Sequence, residues 1–115
     1  MSPGRRSSTA AKRRAHALVF AALGDETRLA LVTKLAGGRP CSISQLTRGS
    51  KLTRQAIRKH LHVLETVGMV RSAMAGREHL FEFSPRPIHG VSEYLDFVSE
   101  QWDQALARLK SFVED

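Results

Sequence analysis

The chain has 115 residues, 42% of them hydrophobic, and a formal net charge of +7. This length suits one domain with a single hydrophobic core. Because the chain has neither a long apolar run nor a leader followed by a cleavage site, we expect no membrane span, no secretion and a cytoplasmic location. A single cysteine excludes an intramolecular disulfide framework.

Charge is distributed unevenly along the chain. Residues 1–77 contain fifteen Lys and Arg but three acidic residues, whereas residues 78–115 contain three basic and eight acidic residues. A basic face that is merely solvated would explain the total charge but not this segregation. The pattern therefore favours a polyanionic partner, above all nucleic acid.

The first fourteen residues are expected to form a disordered basic tail. They include five Lys and Arg and have almost no side chains to bury. Such a tail either lies along a DNA backbone or in a minor groove, or only keeps the protein soluble, and the sequence does not separate these roles. Residues 15–115 are expected to form one domain.

Two helices are predicted at the start of that domain. Ala15–Leu23 is short and apolar, and Leu18 is among the residues available for burial. Asp25 is placed to cap the second helix, Glu26–Ala36, because its carboxylate meets the free N–H groups and the positive end of the helix dipole. Leu29 is expected on the core face of this second helix.

The segment Ser42–Val67 predicts a helix–turn–helix. A first helix containing Ile43 and Leu46 ends at Gly49, a residue that tolerates the left-handed conformation. Thr53 is then placed to cap a second helix. The apolar residues at helical spacing in that helix are Ala56, Ile57, Leu61, Leu64 and Val67.

The first turns of this second helix carry long polar side chains: Arg54, Gln55, Arg58, Lys59 and His60. In a helix–turn–helix such side chains reach base edges in the major groove of double-stranded DNA. The segment is also compatible with a small helical hairpin that has a basic solvent face.

Two short strands follow, Met69–Met74 and Glu78–Phe83, and they meet at a turn that contains Gly76. Two helices followed by a hairpin with Arg77 at its tip make up the winged form of the motif. The predicted fold is therefore mainly α with a small β-hairpin wing.

These motifs resemble the ArsR family of winged-helix transcriptional repressors. The likeness is carried by GDETRL (24–29), LTRQAIRKHL (52–61), LE (64–65) and GMV (68–70), in the family's order and spacing. It extends from about Ala15 to Val113. The resemblance implies a sequence-specific DNA-binding regulator that represses transcription as a homodimer.

The resemblance also implies which side chains contact DNA. The family's base-reading or phosphate-binding positions fall on Arg54, Gln55, Arg58 and His60. Phosphate anchors are expected at Lys51, Thr53 and Lys59. Arg71 and Arg77, beside and at the tip of the wing, are expected to contact the minor groove or the DNA backbone. Many family members have Ser or Thr at the position of Arg58, so individual base contacts do not carry over.

Pro85 and Pro87 separate the hairpin from a final predicted helix, Ile88–Val113. At about 1.5 Å per residue this helix is about 40 Å long, more than a small domain can cover, so its apolar stripe requires a partner. In the family, the terminal helices pair across a two-fold axis. The residues expected at this dimer interface are Val91, Leu95, Val98, Trp102, Leu106 and Leu109.

No metal or other cofactor is expected. Metal-sensing family members carry a cysteine pair where this chain has Ser42 and Ser44, and a lone Cys41 is a poor metal site. The last helix offers His89 and Glu93 but lacks the downstream histidine of the family's other metal site. Residues 100–110 resemble a branch of the family without metal ligands.

We expect the protein not to be an enzyme, because the chain has no Gly-rich phosphate loop and no nucleophile–base pair at a recognisable spacing. Two alternatives to a simple repressor stay open. One is a winged helix used as a protein-interaction module, with its basic helix docked on an acidic partner. The other is a metal- or thiol-responsive sensor repressor.

Overall fold

The computed structural model describes residues 3–114, with side chains from residue 9 onward. The elements in chain order are α1 (Pro3–Leu23), α2 (Glu26–Leu35), β1 (Cys41–Ser42), α3 (Ile43–Thr47), α4 (Arg54–Thr66), β2 (Val70–Ala75), β3 (Glu78–Phe83) and α5 (Arg86–Glu114). Helices α3 and α4 with the β2–β3 hairpin form a winged helix–turn–helix. The predicted fold class is confirmed.

The helices of the motif begin at side chains that cap them. Asp25 accepts a hydrogen bond from the backbone N–H of Arg28 at the start of α2, at 3.0 Å. At the start of α4, Thr53 accepts from the backbone N–H of Ala56 at 3.1 Å. Each oxygen satisfies a donor that the first helical turn leaves without an intrahelical partner. Both predicted caps are confirmed.

The turn between α3 and α4 depends on a glycine. Gly49 has a φ of +78°, a left-handed conformation that other residues adopt only at a cost. The backbone N–H of Leu52 then donates to the Ser50 hydroxyl at 3.0 Å, which closes the turn just before α4. The short connection holds the two helices of the motif against each other.

The wing hairpin is part of a three-stranded antiparallel sheet with strand order β1–β3–β2. Strands β2 and β3 pair along their whole length and are joined by Gly76 and Arg77, with Gly76 at a φ of +65°. The third strand, β1, pairs with β3 opposite Leu80 and Phe81. The sequence analysis did not predict β1, because two residues are too few to show an alternating pattern and the pairing needs β3 beside it.

The core lies between the first four helices, the sheet and the start of α5. The buried side chains are Val19, Ala22, Leu31, Leu35, Ile43, Leu46, Ile57, Leu61, Leu64, Met69, Val70, Phe81 and Val91. Two leucines predicted to be buried are not: Leu18 is 60% exposed and Leu29 is 48% exposed. Leu18 lies next to the buried Val19, but no neighbouring element covers it. Leu29 is two residues before Leu31, so helical spacing places it on the side of α2 away from that buried residue.

Helix α1 begins at Pro3, well before the predicted start at Ala15, so residues 3–14 are helical where we expected a disordered tail. For residues 10–15 the physical reason is their Ala-, Lys- and Arg-rich sequence, which has high helix propensity. It extends a helix that Val19 and Ala22 already anchor in the core, and adding residues to a formed helix costs little. Met1 and Ser2 of the predicted tail lie outside the described residues.

Helix α5 runs from Arg86 to Glu114, with Pro87 in its first turn, where a missing N–H does no harm. Val91 is its buried residue, at 4% exposure, and packs in the protomer's own core. Its placement therefore does not support the predicted role of Val91 at a dimer interface. In the described part of the chain, no helix combines the length and apolarity needed to span a membrane.

Candidate nucleic-acid interface

One face of α4 is an open polar groove of about 750 Å³. The side chains that line it are Arg54, Gln55, Arg58, Lys59 and His62. Residues three or four apart share a helix face, so the sequence spacing brings this set together. On the opposite face Ile57, Leu61 and Leu64 are buried. Burial of that apolar face fixes which side chains α4 offers to a partner.

The cations of the groove are not neutralised by the protein. Arg54, Arg58 and Lys59 are exposed, as is Lys51 in the preceding turn. Within residues 9–114 none of these four side chains forms an ion pair. Uncompensated cations on one face can replace the counterions of a nucleic-acid backbone, and release of those counterions drives binding.

The beginning of α4 supplies further groups for phosphate. Thr53 uses its hydroxyl oxygen as the acceptor for the helix cap, so its hydroxyl proton remains available to a phosphate oxygen. The positive end of the α4 dipole lies at the same place, and anions bind there readily. Lys51, Thr53 and Arg54 therefore lie together at the end of the groove where backbone contacts are expected.

His60 lies apart from this groove. Its Nδ1 is 3.8 Å from Oδ2 of Asp25 and 3.4 Å from a terminal guanidinium nitrogen of Arg28, and its side chain is 24% exposed. The placement does not support the predicted contact between His60 and DNA. Instead His60 connects α4 to the beginning of α2.

Arg28 extends this connection to a third helix. Its Nε donates to the carbonyl of Ala22 at 2.6 Å, near the end of α1. The hydrogen bond from the backbone N–H of Arg28, assisted by the charges of Arg28 and His60, lowers the pKa of Asp25 below its ordinary value. Asp25, Arg28 and His60 thus form a polar cluster that joins α1, α2 and α4.

The two predicted wing residues have different surroundings. Arg71 lies directly opposite Glu82 across β2 and β3, and the side chains form an ion pair with a nitrogen–oxygen distance of 3.1 Å. A phosphate contact by Arg71 has to compete with that pair. Arg77 is exposed in the turn at the tip and has no ion-pair partner among the described residues. Arg77 is therefore the more available of the two.

His62 is a groove residue that the sequence analysis left out. It follows Arg58 by four residues, so the i, i+4 spacing was the signal that could have identified it. Its position continues the groove along α4 beyond the turns that carry the predicted base-reading residues.

Ser42, at one position of the family's cysteine pair, caps the start of α3. Ser42 accepts from the backbone N–H of Gln45 at 3.2 Å, and the Gln45 side chain accepts from the backbone N–H of Ser42 at 2.8 Å. This reciprocal arrangement is a capping box for α3. Cys41 is half-buried, and its thiol lies 3.5 Å from the carbonyl of Arg39. In the described part of the chain, no three His, Cys, Asp or Glu side chains are grouped as a metal site would require.

A helix–turn–helix with a basic outward face on its second helix, followed by a β-hairpin, defines a winged-helix DNA-binding protein. A helix–turn–helix domain family matches residues 23–73. The chain is 31% identical over 93 residues to the HTH-type transcriptional regulator Rv2034 of Mycobacterium tuberculosis, a match that covers 81% of this chain and 83% of that protein.

Two solved structures are similar in fold. An ArsR-like transcriptional regulator from Rhodococcus sp. RHA1 is 36% identical, with a TM-score of 0.76 over 91% of this chain and 95% of that one. The ArsR family transcriptional regulator RHA00566 is 28% identical, with a TM-score of 0.72 over 79% of this chain and 93% of that one. The chain belongs to the ArsR family, and it is a DNA-binding transcriptional regulator.

Proposed function

We propose that this regulator is a cytoplasmic, homodimeric repressor that blocks transcription by occupying an operator, and that it is neither an enzyme nor dependent on a metal. The uncompensated basic groove along α4 carries the proposal. Arg54, Gln55 and Arg58 are long enough to make paired hydrogen bonds with base edges, and Lys51 and Lys59 supply charge for phosphates.

The exposed half of α5 supports the dimer. Trp102 is 64% exposed and Leu106 is 54% exposed. Burying such side chains against another apolar surface would lower the free energy of the protein in water. Near Trp102, an almost wholly apolar depression of about 310 Å³ is bordered by Phe97, Val98 and Ala105. A second copy of α5 offers the complementary apolar ridge. Of the six predicted interface residues, only Val91 is unavailable for this contact.

A two-fold dimer sets the geometry of the operator. Two copies of α4 related by a two-fold axis read two half-sites in opposite orientations. The half-sites are then expected about 34–36 Å apart, or at a multiple of that spacing. Arg77 at each wing tip is proposed to contact the DNA backbone or minor groove beside each half-site.

Metal is not proposed as the signal that releases the repressor. Ser42 occupies a position of the family's cysteine pair and is committed to the α3 cap. A metal can shift a regulator between two states only if it binds them differently, which requires a site. The combination of Ser42 and Ser44 with a lone Cys41 supports a regulator that responds to something else.

The proposal is tested by DNA binding and sedimentation on the whole chain. Fluorescence anisotropy with a duplex from the protein's own upstream region, and with a shuffled duplex, is expected to show tighter binding to the first and a steep loss of affinity with salt. Sedimentation is expected to show a dimer at micromolar concentration. Equal affinity for both duplexes, with tight capture of an acidic protein, would favour the protein-interaction module instead.

A further inference from the structure

A second recess lies at the C-terminal end of α4, where that helix meets α1 and the start of α5. Its volume is about 360 Å³, within the range of small-molecule sites. Thr66 and Val67 border it from the end of α4, and Arg86 and Pro87 border it from the start of α5. A molecule bound there touches both the DNA-reading helix and the helix proposed to dimerise.

Most of the wall of this recess is apolar. Leu18 and Val19 contribute from α1, Val67 from the end of α4, and Pro87 from α5. Leu18, one of these wall residues, is largely exposed. An apolar group that enters the recess removes this surface from water, which favours binding.

The polar groups at the recess are biased towards an anion. Arg86 is exposed and has no ion-pair or hydrogen-bond partner among the described residues. The Thr66 hydroxyl donates to the carbonyl of His62 at 2.8 Å, so the charge of Arg86, and not Thr66, is what attracts an anion. No carboxylate lines the recess in the described part of the chain. The positive end of the α5 dipole lies at the same place.

The α1 side of the recess is held in place by ring contacts. The imidazole of His16 lies over Tyr94 of α5 with 5.3 Å between ring centroids. One turn earlier on α5, a Cβ at Gly90 would be 3.6 Å from the His16 ring, so the two helices approach closely at this glycine. The recess is therefore bounded by packed side chains on its α1–α5 side.

We propose that this recess binds a small apolar anion. The carboxylate of the ligand pairs with the Arg86 guanidinium, which can form two parallel hydrogen bonds with it. The apolar body of the ligand packs against Leu18, Val67 and Pro87. The ligand class is thus a monocarboxylate with an aliphatic or aromatic body.

The regulatory consequence rests on the proposed repressor function. A ligand that contacts Val67, the C-cap of α4, stabilises the position of α4 in which the ligand binds more tightly. If DNA prefers another position, the ligand lowers operator affinity, and DNA lowers ligand affinity by the same factor. The ligand-binding step itself needs no DNA and can be measured alone.

The test uses three probes with the same chain and different head groups: octanoate, octanol and octylammonium. Isothermal titration and thermal unfolding of the whole chain are expected to show saturable binding and a higher Tm with octanoate, and weaker effects with the other two. Equal effects of octanoate and octanol would overturn the proposal, because they would indicate general adsorption to apolar surface such as the α5 stripe.

Two variants locate the binding. Ala15 lines the recess and is exposed, so Ala15→Trp fills the recess without entering the core, and Ala11→Trp, one turn earlier on α1, is its matched control. Arg86→Gln removes the charge, with Arg108→Gln on distal α5 as its control. Octanoate binding is expected to vanish in Ala15→Trp, to weaken about tenfold in Arg86→Gln, and to persist in both controls.

Other outcomes contradict the site. Octanoate binding that survives both Ala15→Trp and Arg86→Gln would overturn the proposal. The proposal would also be overturned if the unaltered chain binds no octanoate and the Ala15→Trp variant no longer dimerises. That result would assign the recess to contact with a second protomer. Normal octanoate binding in a protein that shows no operator preference would leave this site in place and reject only the repressor function.

Discussion

Nδ1 of His60 lies 3.8 Å from Oδ2 of Asp25, and this contact joins α4 to the cap of α2. Asp25 is held by the backbone N–H of Arg28, and Arg28 in turn holds the carbonyl of Ala22 at the end of α1. The orientation of α4 therefore depends on polar contacts on the side of the helix away from the basic groove, as well as on its buried apolar face.

His60→Ala is expected to weaken operator binding without changing its salt dependence. The substitution removes the contact that ties α4 to α2 but no contact with a phosphate. The free energy of unfolding is expected to fall by about 0.5–1.5 kcal/mol. The measurements are urea unfolding and operator affinity at several salt concentrations. A salt slope reduced by about one unit would show instead that His60 contacts the DNA backbone.

Asp25 is expected to make stability depend on acid pH. Since its pKa is lowered in the folded protein, the ionised carboxylate stabilises the fold at pH values above the unfolded pKa. That contribution is lost as pH falls through the folded pKa. Asp25→Asn keeps an oxygen to cap α2 but cannot ionise. The difference between the urea midpoints of the unaltered protein and Asp25→Asn should therefore shrink as pH falls through the lowered pKa of Asp25. A difference that stays constant with pH would contradict the role of the charge.

Arg58→Ala separates base reading from simple charge. If Arg58 faces the major groove, its loss is expected to cost about 1–3 kcal/mol at the operator and to relax the preference at one base pair. Lys59→Ala is the matched comparison. It should weaken operator and random DNA by similar factors and flatten the salt slope by about one unit. Equal losses of Arg58→Ala on both duplexes would make Arg58 a phosphate contact.

Trp102→Ala is expected to weaken the dimer without unfolding the protomer. Trp102 is largely exposed and borders the apolar depression on α5, so its loss affects contact between protomers more than the core. Sedimentation equilibrium measures the dissociation constant. Glu100→Ala, on the polar face of the same helix, is expected to leave it unchanged. A monomer that binds its operator with full affinity would reject the proposed dimer.

Zinc, cadmium and arsenite are expected to leave operator affinity essentially unchanged. Ser42 caps α3 through its hydroxyl, and Cys41 has no second thiol beside it in this single-cysteine chain. Anisotropy titrations with each metal measure the effect. Stoichiometric metal binding coupled to release of DNA would show that a sensing site exists.

The sequence by itself determined the features that depend on neighbouring residues. The apolar spacing of Ile57, Leu61 and Leu64 predicted the buried face of α4, and Thr53 predicted where that helix begins. Local hydrogen bonds and helical periodicity decide such features, so they can be read from a short segment. The same periodicity predicted the long apolar stripe of α5.

Tertiary structure decided the features that depend on elements distant in the chain. Helical spacing already places His60 beside Ile57 and Leu64, away from the groove, but it meets Asp25 only because α2 packs beside α4. Val91 belongs to the same stripe as Trp102 but is buried, because only the first turns of α5 lie against the core. Strand β1 forms because β3 presents an unpaired edge to it. Periodicity assigns each residue to a face of its element, but only packing determines what that face meets.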